Sequence, residues 1–182
     1  MPGSRVPRRT GSGIALAIAG IAAGSAVAAG IRRRRLAARP STEEVNKDVV
    51  RRLLEEPWSG NLDAIGECVA PGYVGYDPTE PEPIRGPDSV RAGVVRWVGA
   101  FPGAMVTIEN QVAEGDRVAT RWVWRGVQTG EIAGIAPTGK EVTVAATTFS
   151  RLENGKVVEQ WTSWDALGLL VQLGAVPTPT TA

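Results

Sequence analysis

From Ser41 onward the chain changes its hydrophobic period once. Val45, Val49, Leu53 and Leu54 recur at the three- and four-residue spacing of a helix. Ahead of them, Ser41-Thr42-Glu43-Glu44 forms a capping box, in which the Ser41 hydroxyl serves the third helical amide and Glu44 reaches back. The spacing predicts a helix running to about Glu56 and stopped by Pro57, then a second, short helix from Asn61 to Val69. Pro71-Gly72 turns the chain into a brief strand, Tyr73 to Tyr76, and prolines at 78, 81, 83 and 87 make Asp77 to Pro87 irregular. Asp88 reads as the cap of a third helix, with Val90, Val94, Val95, Trp97 and Val98 apolar and an end near Phe101-Pro102-Gly103. After that the period drops to two. Met105 to Ala113, Arg117 to Thr129, Glu141 to Leu152 and Lys156 to Trp164 are expected as four strands. Glu114-Gly115-Asp116, a longer Gly/Pro loop and Asn154-Gly155 join them, connections that suit antiparallel neighbours. Helices first and an antiparallel sheet afterwards is the α+β arrangement.

The first forty residues follow neither period. Gly13 to Ile31 carries no charge, and a helix of that length would rise about 28 Å, close to the hydrocarbon thickness of a bilayer. The expected organisation is a basic leader, 1–40, with a membrane-spanning helix at 13–31, a folded domain at 41–177, and a frayed tail at 178–182. Arg5, Arg8 and Arg9 precede the apolar run, whereas Arg32 to Arg35 and Arg39 follow it. The positive-inside bias then leaves the folded domain on the cytoplasmic side of a single-pass protein. Export after signal cleavage is the alternative, with Ala26-Val27-Ala28 as the cleavage site and Arg8-Arg9 as a twin arginine. The arginines directly behind the run resist translocation and weigh against it.

Charge and composition sharpen this picture. The 182-residue chain has a net charge of +1, but residues 1–40 hold eight arginines and no acid. The remainder therefore has 12 basic and 19 acidic residues, a net of −7 by subtraction. With no nucleic-acid motif in so acidic a domain, nucleic acid is not an expected partner. The chain has no histidine and one cysteine, Cys68, which is read as a small buried apolar residue. No disulfide, zinc cluster, Ser-His or Cys-His pair can be built from that inventory.

The succession FPGAMVTIENQVAEGDRVATRW, GEIAGIAPTGKEV, RLENGKVVEQW and D-x-x-G-x-x-x-Q-L-G resembles the SnoaL-like polyketide cyclases, or ester cyclases, of the nuclear-transport-factor-2-like superfamily, from about Val45 to Pro177. The resemblance implies a curved, cone-shaped, mostly antiparallel sheet wrapped around the N-terminal helices and enclosing a pocket, with homodimers common. It also implies an intramolecular aldol condensation on a polyketide ester, run by an aspartate without metal or cofactor. Family members commonly carry histidine where this chain has Tyr76, Gln128 and Gln160. Aligned without a gap from the Gln-Leu-Gly ending, the cyclase aspartate falls on Thr162 and its histidine partner on Thr148, while Asp165 matches a second aspartate of the family. A slip of three residues would put Asp165 in the acid's place.

Asp165 is therefore the catalytic candidate, with helix capping ahead of Ala166-Leu167-Gly168 as the competing role. Tyr76, Trp122, Trp124, Gln128, Gln160 and Trp161 are the substrate-binding candidates. Aromatic rings can wall an apolar pocket, and glutamine can bind a ligand but cannot exchange protons. Tyr76-Asp77 could add a hydroxyl and a carboxylate at the pocket mouth. Alternation puts Glu159, Trp161, Ser163 and Asp165 on one face of the last strand and Val158, Gln160, Thr162 and Trp164 on the other. Because each face carries a tryptophan, the inward one stays open. Two functions are expected to compete: cofactor-independent cyclisation or isomerisation of an apolar, polyketide-like ligand, and a non-catalytic, dimeric ligand-binding module at a membrane.

Overall fold

A computed structural model describes residues 39–177. The apolar run 13–31 and the 178–182 tail lie outside the described residues, and no described helix is long and apolar enough to cross a membrane. The domain opens with helix α1 (Thr42–Glu55), whose first turn is capped as expected, the Ser41 hydroxyl accepting from the Glu44 amide. A single 3₁₀ turn (Glu56–Ser59) with Pro57 in its first positions carries Trp58 inward to helix α2 (Asp63–Cys68). Then come strands β1 (Val69–Tyr76) and β2 (Ile84–Arg85), helix α3 (Gly86–Ala100), strands β3 (Met105–Glu114), β4 (Arg117–Val127), β5 (Glu141–Glu153) and β6 (Lys156–Trp164), and helix α4 (Ala166–Leu173).

The six strands form one mixed sheet in the order β2-β1-β6-β5-β4-β3. The last four strands are antiparallel neighbours in sequence order, while β1 lies parallel to β6 at the other side. Strict alternation along β5, with Val142, Val144, Ala146, Thr148 and Ser150 buried and the residues between them mostly exposed, marks an inner and an outer face. The sheet curves, with the helices on its inner face.

The differences from the sequence reading that matter most fall at β1, β2 and the start of α3; β4 also ends at Val127 rather than Thr129, and α2 spans Asp63–Cys68 rather than Asn61 to Val69. β1 starts at Val69 rather than Tyr73, because Pro71-Gly72 does not end the strand but sits within a register shift between Val69 and Val74. A bulge tolerates a proline that a regular ladder would not. The two-residue strand β2 was hidden among prolines. Asp88 is not the cap of α3. That helix begins at Gly86 with Pro87 in its first positions, Asp88 lies in the first turn, and Arg85 precedes it without a side-chain cap. Gly86 has φ +72°, which permits the sharp exit from β2 into the helix.

Two apolar clusters hold the domain. One joins α1, α2 and the sheet through Val50, Leu53, Ile65, Cys68, Tyr73, Val118 and Val157. The other gathers Phe101, Trp124, Val142, Val144, Leu169 and Leu173, with Trp58, Trp97, Trp122 and Trp164 packed against it. α4 reaches this second cluster because Asp165 starts it. The Asp165 Oδ1 accepts from the Gly168 amide at 2.7 Å, and a Cβ on Gly168 would lie 2.0 Å from the other carboxylate oxygen. A side chain at 168 would require the Asp165 carboxylate to shift. Asp165→Ala, which removes the acceptor, is expected to lower unfolding stability by about 1 kcal/mol, read from the denaturant midpoint.

Candidate functional site

Between the two clusters lies a cavity of about 220 Å³. Leu53, Leu54 and Trp58 from the first helical segment, Val90, Val94 and Trp97 from α3, and Trp122, Trp124, Val144, Gln160, Thr162 and Trp164 from the sheet line it. The tryptophans brace one another edge to face. The Trp97 ring meets Trp124 at 5.9 Å and Trp164 at 5.8 Å, and Trp58 meets Trp124 at 5.6 Å. Such pairs contribute about 0.5–1.5 kcal/mol each beyond the area they bury, so these walls are fixed rather than plastic.

β6 presents Gln160, Thr162 and Trp164 to the cavity, which resolves the open question of its inward face. Glu159 points the other way, accepting from the Arg151 Nε across the strands at 3.1 Å. Trp161 also lies on the outer face. It is 38% exposed, its ring stacks on Tyr76 at 5.8 Å and it tilts against Phe149 at 6.1 Å. Tyr76 borders the cavity mouth while giving its ring to that outer stack.

Gln128 lies outside the cavity lining, fully buried just past the end of β4. Its Nε2 donates to the carbonyls of Gly130, Ile135 and Ala136, and its Oε1 accepts from the amide and hydroxyl of Thr138. One amide thus organises the whole β4–β5 loop. Gln160, by contrast, lines the cavity with both ends in use: Oε1 accepts from the Tyr73 hydroxyl at 3.0 Å and Nε2 donates to the Ser150 Oγ at 3.0 Å. Tyr73 can reach it only because Gly75 is bare, since a Cβ there would lie 2.3 Å from the phenolic oxygen. Asp165 is exposed and does not line the cavity.

The carboxylates that do line it are Asp77 and Glu80, on the loop after β1. Glu80 is paired with Arg96 at 2.6 Å. Among the described residues Asp77 has no cationic partner; its Oδ1 accepts from the Thr79 amide at 2.8 Å and hydroxyl at 2.6 Å, and its Oδ2 from the Trp164 indole at 3.0 Å. These neutral donors aim the carboxylate and leave lone pairs for a ligand. Among the described residues no group of Asp, Glu and Cys side chains is placed to hold a metal ion.

Tyr73, Thr162 and Trp164 were not among the binding candidates. Their parity with Gln160, and the outward Arg151–Glu159 pair, are the signals that could have found the last two.

Burial, and after it the negative charge of Asp77, pushes the Tyr73 hydroxyl well above the ordinary tyrosine range. A raised folded-state value means that the stability it contributes is fully present below the unfolded value, about pH 10, and is lost as pH rises from there toward the folded value. Unfolding free energy measured from about pH 8 to pH 11 should fall at the alkaline end. The decline should be shallower in Tyr73→Phe.

Comparison with known proteins agrees with this architecture. The aklanonic acid methyl ester cyclase DnrD of Streptomyces peucetius is 29% identical over 135 residues, covering 72% of this chain and 93% of that protein. The aklanonic acid methyl ester cyclase AcmA of Streptomyces galilaeus is 29% identical over 134 residues, covering 72% and 92%. A crystal structure from Jannaschia sp. CCS1, described as a SnoaL-like polyketide cyclase, superposes with a TM-score of 0.69 at 29% identity over 76% of this chain and 98% of that one. IdmH of Streptomyces antibioticus, also described as a polyketide cyclase, gives a TM-score of 0.62 at 32% identity, over 71% and 98%. Residues 47–173 match the family described as SnoaL-like polyketide cyclase, and the chain belongs to that family.

Proposed function

We propose that the cavity takes up a flat, largely apolar, polyketide-like keto-ester and catalyses its aldol-type cyclisation or isomerisation without a cofactor. The observation that carries this reading is the Asp77 carboxylate in the cavity lining, held by the neutral donors Thr79 and Trp164 beside a wall of tryptophans. The relatives named as methyl ester cyclases favour an ester substrate. In the reaction, Asp77 removes a proton from the carbon between two carbonyls. The carbanion attacks a third carbonyl of the same molecule, forming a carbon–carbon bond, and the resulting alkoxide recovers the proton from Asp77. No electron or atom is left over, so no co-reactant is needed. The tryptophan walls contribute by holding the chain folded, which makes the attack intramolecular.

One observation favours a second reading, binding without turnover. On the ungapped register from the Gln-Leu-Gly ending, the family's acid and its histidine fall on Thr162 and Thr148, and neither threonine can exchange a proton near neutrality. A panel of polycyclic keto-esters incubated with the protein and with Asp77→Asn separates the two. Turnover that falls at least about 100-fold in the folded variant supports Asp77 as the base. Equal turnover in both removes Asp77 from the reaction, and binding with no turnover in either selects the second reading.

The same family reading extends to pairing of two copies through the outer sheet face. Tyr76, Trp161 and Phe149 lie there in cross-strand register, with Ala119 and then Val112 continuing the row onto β3. Light scattering of the residue 39–177 domain should give twice the monomer mass. Trp161→Glu should return it to the monomer mass.

A further inference from the structure

Thr162 stands where the family's acid falls, yet its hydroxyl is not idle. Trp122, Thr148 and Thr162 form a chain across β4, β5 and β6. The Trp122 Nε1 lies 2.9 Å from the Thr148 Oγ1, which lies 3.2 Å from the Thr162 Oγ1. The direction of this chain is fixed by chemistry. An indole nitrogen can only donate, so Thr148 accepts from Trp122. Thr148 is fully buried, and its hydroxyl hydrogen is satisfied by giving it to Thr162. Were Thr162 to donate back instead, the Thr148 hydrogen would be left buried without an acceptor, the costly arrangement. Thr162 therefore receives, and its own hydrogen is free. Thr162 lines the cavity.

We propose that the Trp122–Thr148–Thr162 chain presents the Thr162 hydroxyl as a pre-oriented donor to a carbonyl oxygen of the bound ligand, so that a position used for proton transfer elsewhere in the family serves here in carbonyl recognition. This rests on the cavity being a small-molecule site and deepens that reading by assigning a ring ketone or quinone as the recognised group. Trp122 and Thr148 act as positioning residues, since only Thr162 meets the ligand. From α3 the cavity takes Val90, Val94 and Trp97 together with Ser89 and Arg96, while β6 supplies Gln160 and Thr162.

The test uses two flat tricyclic probes, 9,10-anthraquinone and anthracene, which differ in the carbonyl groups. Affinity of the full-length protein for each is read by quenching of tryptophan fluorescence, and the measured quantity is the ratio of the two affinities. Thr162→Val should lower the quinone-to-anthracene ratio about two- to tenfold, the worth of one neutral hydrogen bond, with anthracene binding unchanged. Thr162→Ser, which keeps the hydroxyl, should hold the wild-type ratio. A ratio that is the same in wild type and Thr162→Val overturns the inference while leaving the cavity standing as a binding site. Failure of both probes to bind the wild type overturns the inference and the cavity reading together.

Discussion

The parallel pairing of β1 with β6 is the contact on which the site depends. It aligns Gly75 with Gln160 and Tyr76 with Trp161, and so brings the end of the first strand beside the end of the last. Two hydrogen bonds cross that seam, Tyr73 to Gln160 and Trp164 to Asp77, each joining residues 87 positions apart. Neither half of the site has its polar geometry alone. Without β6, Asp77 would keep only the contacts to its own neighbour Thr79, and Tyr73 would be a buried hydroxyl with no acceptor. Closing so long a loop is entropically unfavourable, and the gain comes from the sheet as a whole together with the tryptophan cluster that β6 completes.

A chain without histidine has to satisfy its buried polar atoms with groups of fixed donor and acceptor character. The interior shows how. Gln128 and Gln160 each use the acceptor and donor ends of one amide to bridge partners that a single imidazole could not serve in the same way. Thr148 sits between a donor-only indole and a second hydroxyl. The consequence for the cavity is that most polar atoms on its wall are already committed to one another. Among the described residues, the groups left to address a ligand include the Trp124 indole N–H, buried without a partner, the hydroxyl of Thr162, the remaining lone pairs of Asp77 and the Arg96–Glu80 pair, an arrangement suited to an apolar guest with few polar groups.

Much of the fold was legible because the physics behind it is local. The capping box at Ser41, the period-two stretches from Met105 onward and the turn glycines after Glu114 and Asn154 all report on neighbouring residues. β1 and β2 were read short or missed because proline vetoes a regular ladder, and only pairing with a distant strand reveals that Pro71 sits at a bulge. The site was legible as composition rather than as place. Trp122, Trp124 and Gln160 line the cavity, yet Gln128, on the same strand parity, belongs to a loop whose path no periodicity describes. Trp161 and Trp164 could be told apart only by asking which parity of β6 carries charge. Glu159 shares the Trp161 face and pairs with Arg151, and a charge pair belongs outside. Asp165, the conspicuous carboxylate, is spent on the Gly168 amide, an outcome its place before an apolar helix already implied.

The threonine pair also bears on how a family chemistry could persist on this scaffold. A hydroxyl beside a hydroxyl cannot hold or pass a proton near neutrality, so Thr162 and Thr148 offer no proton transfer from β6 and β5. The carboxylate that remains in reach lies one strand over, at the end of β1, tied to the same inner face by Trp164, two residues beyond Thr162. On the proposed reading the two groups act on different parts of the ligand, Asp77 on an acidic carbon and Thr162 on a carbonyl oxygen. That division suits a substrate whose reactive carbon and recognised oxygen are separated across a ring, and it makes ligand orientation, rather than the mere presence of a carboxylate, the property that decides between turnover and simple binding.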